Sequence, residues 1–254
     1  MSIPSIRDVV HAQKSTLDAL RPLAPETVAA LDAWYDVELT YTSNALEGNT
    51  LTRSETAVVL EKGVTVSGKP LKDHLEAAGH RDALVYVREL ANADAPIKEV
   101  DIRNLHRLIL QKISPEEAGS YSLHQRMISG SDLALPSPAE IPALMGDFAK
   151  WLAVVPASPE AAFDAHERLV TIHPFSDGNG RTARLLMNLV LLRAGFPPLI
   201  LPPEDRPAYH DALHAVQMAG DRALWHKFLY ERLNRSLDRV LGLLHGRSPD
   251  ISSQ

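Results

Sequence analysis

The stretch HPFSDGNGRTAR, His173 to Arg184, decides how the rest of the chain is read. It lies between two helix-like segments, SPEAAFDAHERLVTI before it and TARLLMNLVLLRAG running out of it. Asp177-Gly178-Asn179-Gly180 can turn tightly, because glycine accepts positive φ and lets backbone approach a ligand closely. The following residues open a helix, so the N–H groups of Gly178, Asn179 and Gly180 can face an anion, with the helix dipole behind them. Arg181 and Arg184 are three apart and share a face of that helix. Two guanidiniums beside an anion-binding turn describe a polyphosphate site. Neither GxxxxGK[ST] nor GxGxxG occurs here, so the turn is not a P-loop. Asp177 stands where one carboxylate could hold a Mg²⁺ that bridges phosphates. His173 could take the proton of an attacking hydroxyl. Pro174 stiffens the loop and Phe175 anchors it in the core. The plainer alternative is a tight helix–helix connection with His173 and Asp177 as caps and both arginines solvated, since DG and NG are common turn formers.

Outward from the loop, the apolar periodicity is helical almost everywhere. SIRDVVHAQKSTLDAL, PETVAALDAWYDVELTYTSNAL, SETAVVLEKG with a stop at Gly63, LKDHLEAAGHRDALVYVRELANA and VDIRNLHRLILQKI all read as helices, the last with Asp101 as its cap. GSYSLHQRMISGSDLALPSPAE breaks the pattern and reads as a β-hairpin turning at Ser129 to Asp132. Helices resume with EIPALMGDFAKWLAVV. TARLLMNLVLLRAG is apolar on nearly all faces and reads as a buried central helix. EDRPAYHDALHAVQMAG and DRALWHKFLYERLNRSLDRVLGLL complete an all-α chain with a single hairpin.

The 254 residues carry 45% hydrophobic and 23% charged residues, an ordinary globular balance. A net charge of −6 supplies no basic field for nucleic acid or an anionic membrane, so neither is expected as a partner. With no Cys, disulfides, thiolate catalysis and Cys-based zinc sites are excluded. The first residues lack a basic segment followed by an apolar run, and no stretch reaches the roughly 18 apolar residues of a membrane span. The expected location is cytoplasmic.

HPFSDGNGRTAR resembles the signature H-x-F-x-[DE]-G-N-G-R-x-x-R of Fic proteins and meets every defined position. The resemblance implies an all-α Fic fold with a hairpin flap that positions a target segment. It also implies transfer of AMP from ATP to a protein hydroxyl, with Mg²⁺ as cofactor. It makes His173 the general base and Asp177 the metal ligand. Gly178, Asn179 and Gly180, with Arg181, would hold the α- and β-phosphates, and Arg184 would meet the γ-phosphate. The segment from Gly119 to Pro138 is similar to the flap, although Ser122 stands where many relatives carry Arg. Arg206, Tyr209 and Leu213, with Gly220-Asp221 beyond, are similar to the adenine-side segment, so Tyr209 would stack on or hydrogen-bond the base. The target protein, which could be the chain itself, is not readable. Fic relatives often dimerise, which admits a homodimer.

Upstream, Ser43 and Glu47 lie four apart on one helix face, and Gly48 can end that helix in a left-handed residue. A Glu at the negative end of the helix dipole is unfavourable unless a cation lies nearby. Alone, the segment reads as a solvated helix end. Ser43-x-x-x-Glu47-Gly48 also resembles the inhibitory motif of the Fic family, which implies that Glu47 pairs with Arg184 and excludes the γ-phosphate. On this reading residues 1–97 form an N-terminal helical region with the inhibitory helix at about 27–48, residues 98–232 the Fic core, and residues 233–254 a helix end and tail. Alternative activities are removal of AMP, transfer of another phosphate-containing group, or nucleotide binding without catalysis. His210-Asp211-Ala212-Leu213-His214 imitates a zinc-binding H-E-x-x-H, but the Glu is missing and no third ligand is evident. His166 reads as a packing residue behind the loop.

Overall fold

The computed structural model describes residues 4–127 and 133–246, and among these it contains ten α-helices, a short 3₁₀ turn and no strand. The helices are α1 (Ile6–Ala19), α2 (Pro25–Ala45), α3 (Arg53–Lys62), α4 (Leu71–Ala91), α5 (Glu99–Leu110), α6 (Ile141–Val154), α7 (Pro159–Ile172), α8 (Asn179–Arg193), α9 (Arg206–Ala219) and α10 (Arg222–Leu244). Their ends follow local chemistry. Ser5, Thr52, Ser158 and Asp221 cap α1, α3, α7 and α10 with side-chain oxygens, and Gly63 and Gly220 end α3 and α9 in the left-handed region. Asp101 departs from the expectation. It lies inside α5, where its carboxylate accepts the Lys98 N–H at 2.8 Å, so it caps the helix from its first turn.

The centre of the molecule is α8. Every residue from Arg181 to Leu191 is buried, which is why its sequence is apolar nearly all round. It packs against α7, α4, α5 and the end of α2, while α1 lies along α10. One apolar cluster runs from Val10 through Leu39, Leu105, Phe163 and Leu186 to Val240, and Trp225 is fully buried in it. Gly79 sets the crossing of α4 and α5. A Cβ there would stand 2.8 Å from the Leu108 carbonyl oxygen and 2.9 Å from that of Ile109, so only glycine lets the two backbones meet this closely. That crossing fixes where α4 presents its polar residues to α8.

The turn of the expected hairpin falls outside the described residues. Its flanks, 121–127 and 133–137, carry no strand, although Gln125 Nε2 donates to the Leu135 carbonyl at 3.1 Å. No described helix is long and apolar enough to cross a membrane.

Candidate active site

The loop 173–184 holds its shape through its own atoms. His173 ends α7 at φ 51° and ψ 53°, and it is the only non-glycine at positive φ among the described residues. Such a backbone stores about 1–3 kcal/mol and persists where its surroundings over-determine it. Here they do. The His173 N–H caps α7 on the Leu169 carbonyl at 2.9 Å, and Pro174 and Phe175 are buried directly after it. Asn179 then closes the loop, accepting the Phe175 N–H at 3.0 Å and donating to the Phe175 carbonyl at 2.8 Å. Gly178 stands before α8 at φ 74°, and no side chain caps the helix. The first amides of α8 are therefore left for an anion.

The half-buried His173 ring sets Nδ1 3.3 Å from the Val170 carbonyl. A carbonyl only accepts, so Nδ1 carries the hydrogen and Nε2 keeps a free lone pair. Burial pushes the His173 pKa below the ordinary histidine value, with Arg126 adding to the effect, against the pull of the Val170 carbonyl and the Glu47 and Asp177 carboxylates. Asp177 has a side chain 55% exposed. It accepts the Gly178 N–H at 2.6 Å and faces Arg181 at 3.2 Å. Burial raises its pKa, but Arg181, the Gly178 N–H and Lys72 outweigh this and hold it below the usual carboxylate value. A single ionised, solvent-facing carboxylate fits Mg²⁺, which commonly takes one or two carboxylates and fills its shell with phosphates and water. Among the described residues no group of three or more acidic or histidine side chains forms a metal cage, and the histidines of the 210–214 motif are exposed.

Arg184 is buried at the heart of the upstream motif. Its Nε donates to Ser43 Oγ at 2.9 Å, and one terminal nitrogen donates to the Ser43 carbonyl at 2.9 Å and to Glu47 Oε1 at 2.7 Å. The Glu47 side chain is 41% exposed. Burial pushes its pKa up, but the charge and hydrogen bond of Arg184, with the charge of Arg181, bring it below the ordinary value. α2 stops just before Glu47. The Gly48 N–H donates to the Ala45 carbonyl and the Asn49 N–H to that of Asn44, with Gly48 at φ 93°, the pair of bonds of a Schellman stop. A Cβ added at Gly180 would stand 2.5 Å from Glu47 Oε1 and 3.0 Å from an Arg184 nitrogen. Glu47 thus lays its carboxylate against the first turn of α8, where an anion is favoured.

Four expectations change on this geometry. The Gly178 N–H is spent on the Asp177 carboxylate at 2.6 Å, so the amides left for an anion begin at Asn179. The Asn179 side chain is committed to Phe175, so it offers a ligand only its backbone N–H. Arg181 is neither solvated nor open: its side chain is 2% exposed and bridges Asp177 to Glu76 of α4 at 3.1 Å. Tyr209 does not line an open base pocket. It is 3% exposed, packs near Trp225, and its hydroxyl lies 3.0 Å from His166 Nε2. Burial and the Arg184 charge push His166 to about 3, so it is a neutral packing group behind the arginine.

Two site residues escaped the sequence reading. Glu76 is one. The other is His106 of α5, fully buried and stacked on Phe175 at 3.7 Å between ring centres. Its Nδ1 accepts the Gly119 N–H at 2.9 Å, and its Nε2 donates to the Asp177 carbonyl at 3.0 Å. Burial pushes it to about 4, so one neutral tautomer ties the start of the 119–127 segment to the loop. Both had a signal: Glu76 sits in the α4 stripe Asp73, Glu76, Ala77, His80, Leu84, and His106 in the α5 stripe Ile102, Leu105, Ile109. A polar residue on a core face needs a buried partner.

The arrangement has relatives. The Fic/DOC family model matches residues 96–191. Protein adenylyltransferase fic-1 of Caenorhabditis elegans is 35% identical over 257 residues, covering 98% of this chain and 48% of that protein. Protein adenylyltransferase Fic of Nematostella vectensis is 40% identical over 208 residues, covering 79% of this chain and 48% of that protein. The chain therefore spans about half the length of these curated relatives. A Fic domain containing signaling protein from Bacteroides thetaiotaomicron matches in structure with a TM-score of 0.85 at 32% identity, covering 95% of this chain and 100% of that one. A match over that whole chain, on a loop that carries the complete signature, makes this protein a member of the Fic/DOC family.

Proposed function

We propose that the chain is a Mg²⁺-dependent protein adenylyltransferase that moves AMP from ATP to a hydroxyl side chain and is held inactive by Glu47. The observation that carries this reading is the Glu47 carboxylate on the first turn of α8, 2.7 Å from Arg184. A carboxylate in that position marks where a phosphate belongs. Asp177 would hold Mg²⁺, which when bound neutralises phosphate charge. The free amides of α8 and its dipole favour the triphosphate, and Arg184, released from Glu47, offers a forked guanidinium to its terminal phosphate. A target hydroxyl gives its proton to Nε2 of His173, and its oxygen bonds to the α-phosphorus. The bond between the α-phosphorus and the bridging oxygen breaks, and pyrophosphate leaves. The names of the relatives, protein adenylyltransferases, support this reaction class. Glu47 and a phosphate cannot both hold Arg184, so the resting chain is self-inhibited. The test is incubation with labelled ATP and Mg²⁺ followed by intact-mass measurement. The expected product is a protein heavier by one AMP, formed faster by the Glu47→Gly variant. The same incubation with cell lysate reads transfer to other proteins, and no label on the chain or on any lysate protein with either variant overturns the reading.

A further inference from the structure

Glu76 carries a load on each carboxylate oxygen, although the residue is only 7% exposed. Oε1 receives Arg181 at 3.1 Å, with Lys72 at 3.6 Å on its solvent side. Oε2 receives Asn49 Nδ2 at 2.9 Å. Asn49 stands two residues beyond Glu47, and the same amide nitrogen also donates to the Asp73 carbonyl at 3.0 Å. Thr50 adds two bonds to the Asp73 carboxylate, at 2.8 Å through its N–H and 2.6 Å through its hydroxyl. The turn that presents Glu47 is thus strapped to the first two turns of α4.

On the other side, Arg181 depends on few partners. Among the described residues its Nε is buried without a hydrogen bond, and its terminal nitrogens reach only the Glu76 and Asp177 carboxylates. Asp177 is exposed and Glu76 is not, so Glu76 is the fixed post that orients the guanidinium. Removing one partner of a buried pair leaves the other charge uncompensated, which forces it to move. If the Asn49 turn lifts, Glu76 loses the donor that holds Oε2, and Arg181 loses its fixed post.

We propose that Glu76 is a positioning residue that couples the inhibitory turn to the phosphate-binding turn, held by Asn49 on one side and orienting Arg181 on the other. The proposal rests on the reading of Glu47 given above. It means that the strap seating Glu47 on Arg184 is also the one that orients Arg181, so loosening it frees Arg184 and weakens the hold on Arg181 together.

Glu76→Gln tests the Arg181 side. An amide has one oxygen where two donors point, so one of the two contacts must be lost. In a Glu47→Gly background the expected result is a KM for ATP raised about tenfold, the size of one lost charge-assisted hydrogen bond, with kcat changed far less. The ATP-induced rise in melting temperature should shrink in parallel. A purely structural role would lower the melting temperature without ATP and leave KM and the ATP-induced rise as they were, which overturns the proposal. Should Glu76→Gln not fold, Arg181→Lys reads the same contact, because a single ammonium cannot span both carboxylates. Asn49 tests the turn side with Glu47 in place. Asn49→Ala should raise AMP transfer, and Asn49→Asp should raise it further, because it sets a carboxylate against Glu76. In the Glu47→Gly background neither should add to the rate, and both should raise the KM for ATP in the same direction as Glu76→Gln. If both leave the parent rate unchanged while Glu47→Gly raises it, the coupling is wrong although self-inhibition stands. If Glu47→Gly itself gives no gain, the inhibitory reading fails, and the Glu76→Gln comparison of ATP-induced melting shifts still decides the Arg181 side.

Discussion

The loop 173–184 and the turn 43–50 both pass through a left-handed glycine, at φ 74° for Gly178 and 93° for Gly48, but they differ in what makes them useful. The loop is self-contained: Asn179 clasps Phe175 four residues back, and His173 caps the helix it ends. The turn is well formed as a helix stop, but its Glu47 has no local purpose. Its partner Arg184 lies 137 residues away, and the strap that holds it comes from α4. On the proposed reading, a loop that carries its own geometry remains intact while a distant turn occupies it, and that turn can be withdrawn without disturbing the loop.

The sharpest way to break that contrast is His173→Ala, combined with Glu47→Gly to expose the reaction. Loss of a general base costs about 10²–10⁴-fold in rate, while ATP-induced stabilisation should persist because the imidazole holds no phosphate. Transfer at the rate of Glu47→Gly alone would remove His173 from the mechanism. Asn179→Ala should come next. It orphans a buried N–H and carbonyl of Phe175, a loss of about 1–3 kcal/mol, and both melting temperature and transfer should fall. A variant that melts normally would mean the loop does not depend on its own clasp.

Glu47→Gly sharpens the comparison from the other side. Without nucleotide it should melt about 2–4 °C lower, equivalent to roughly 1 kcal/mol in a chain of this size, because Arg184 loses a partner. With ATP the loss should be recovered, so the ATP-induced shift exceeds that of the parent. Equal shifts in the two proteins would return Glu47 to the status of a helix-end carboxylate.

The smallest effect at neutral pH comes from titration. His173 is held below its ordinary value of 6.5, so the acid limb of transfer by the Glu47→Gly variant should fall below that pH. Glu47 lies below its ordinary 4.5, so inhibition in the parent should not lift between about pH 5 and 8. Stability should change sooner. His80 and His166 are pushed to about 3 and His106 to about 4 by burial, so near pH 6 the unfolded chain takes up protons that the folded chain refuses. The stability these groups contribute is complete above 6.5 and is lost as pH falls toward 4. Melting curves recorded through that range check the sign, and a flat profile would mean that the three rings are not held neutral.

Much of this protein was legible before any helix was packed. The helix positions follow from apolar spacing and from stops such as Gly63, because those signals act within four residues. The loop followed for the same reason, and its carboxylate, histidine and glycines stand where local turn chemistry puts them. The pairing of Glu47 with Arg184 was reached through resemblance rather than spacing, and the two bonds from Arg184 to Ser43 were seen only in the structure. Other features became visible only when helices met. Glu76 and His106 show in the sequence only as polar residues on apolar helix stripes, and their partners are set when α4 and α5 deliver them to α8. Tyr209 looked free to receive a base until the packing of α7, α9 and α10 buried it on His166. Asp101 looked like a cap before α5 and lies within it, where it also accepts the Tyr86 hydroxyl at 2.8 Å. The physical reason is one of range. Caps, turns and amphipathic spacing are decided by neighbours in sequence, while the partner of a buried charge is chosen by which helix surfaces come together. That choice is made by the burial of the whole core at once.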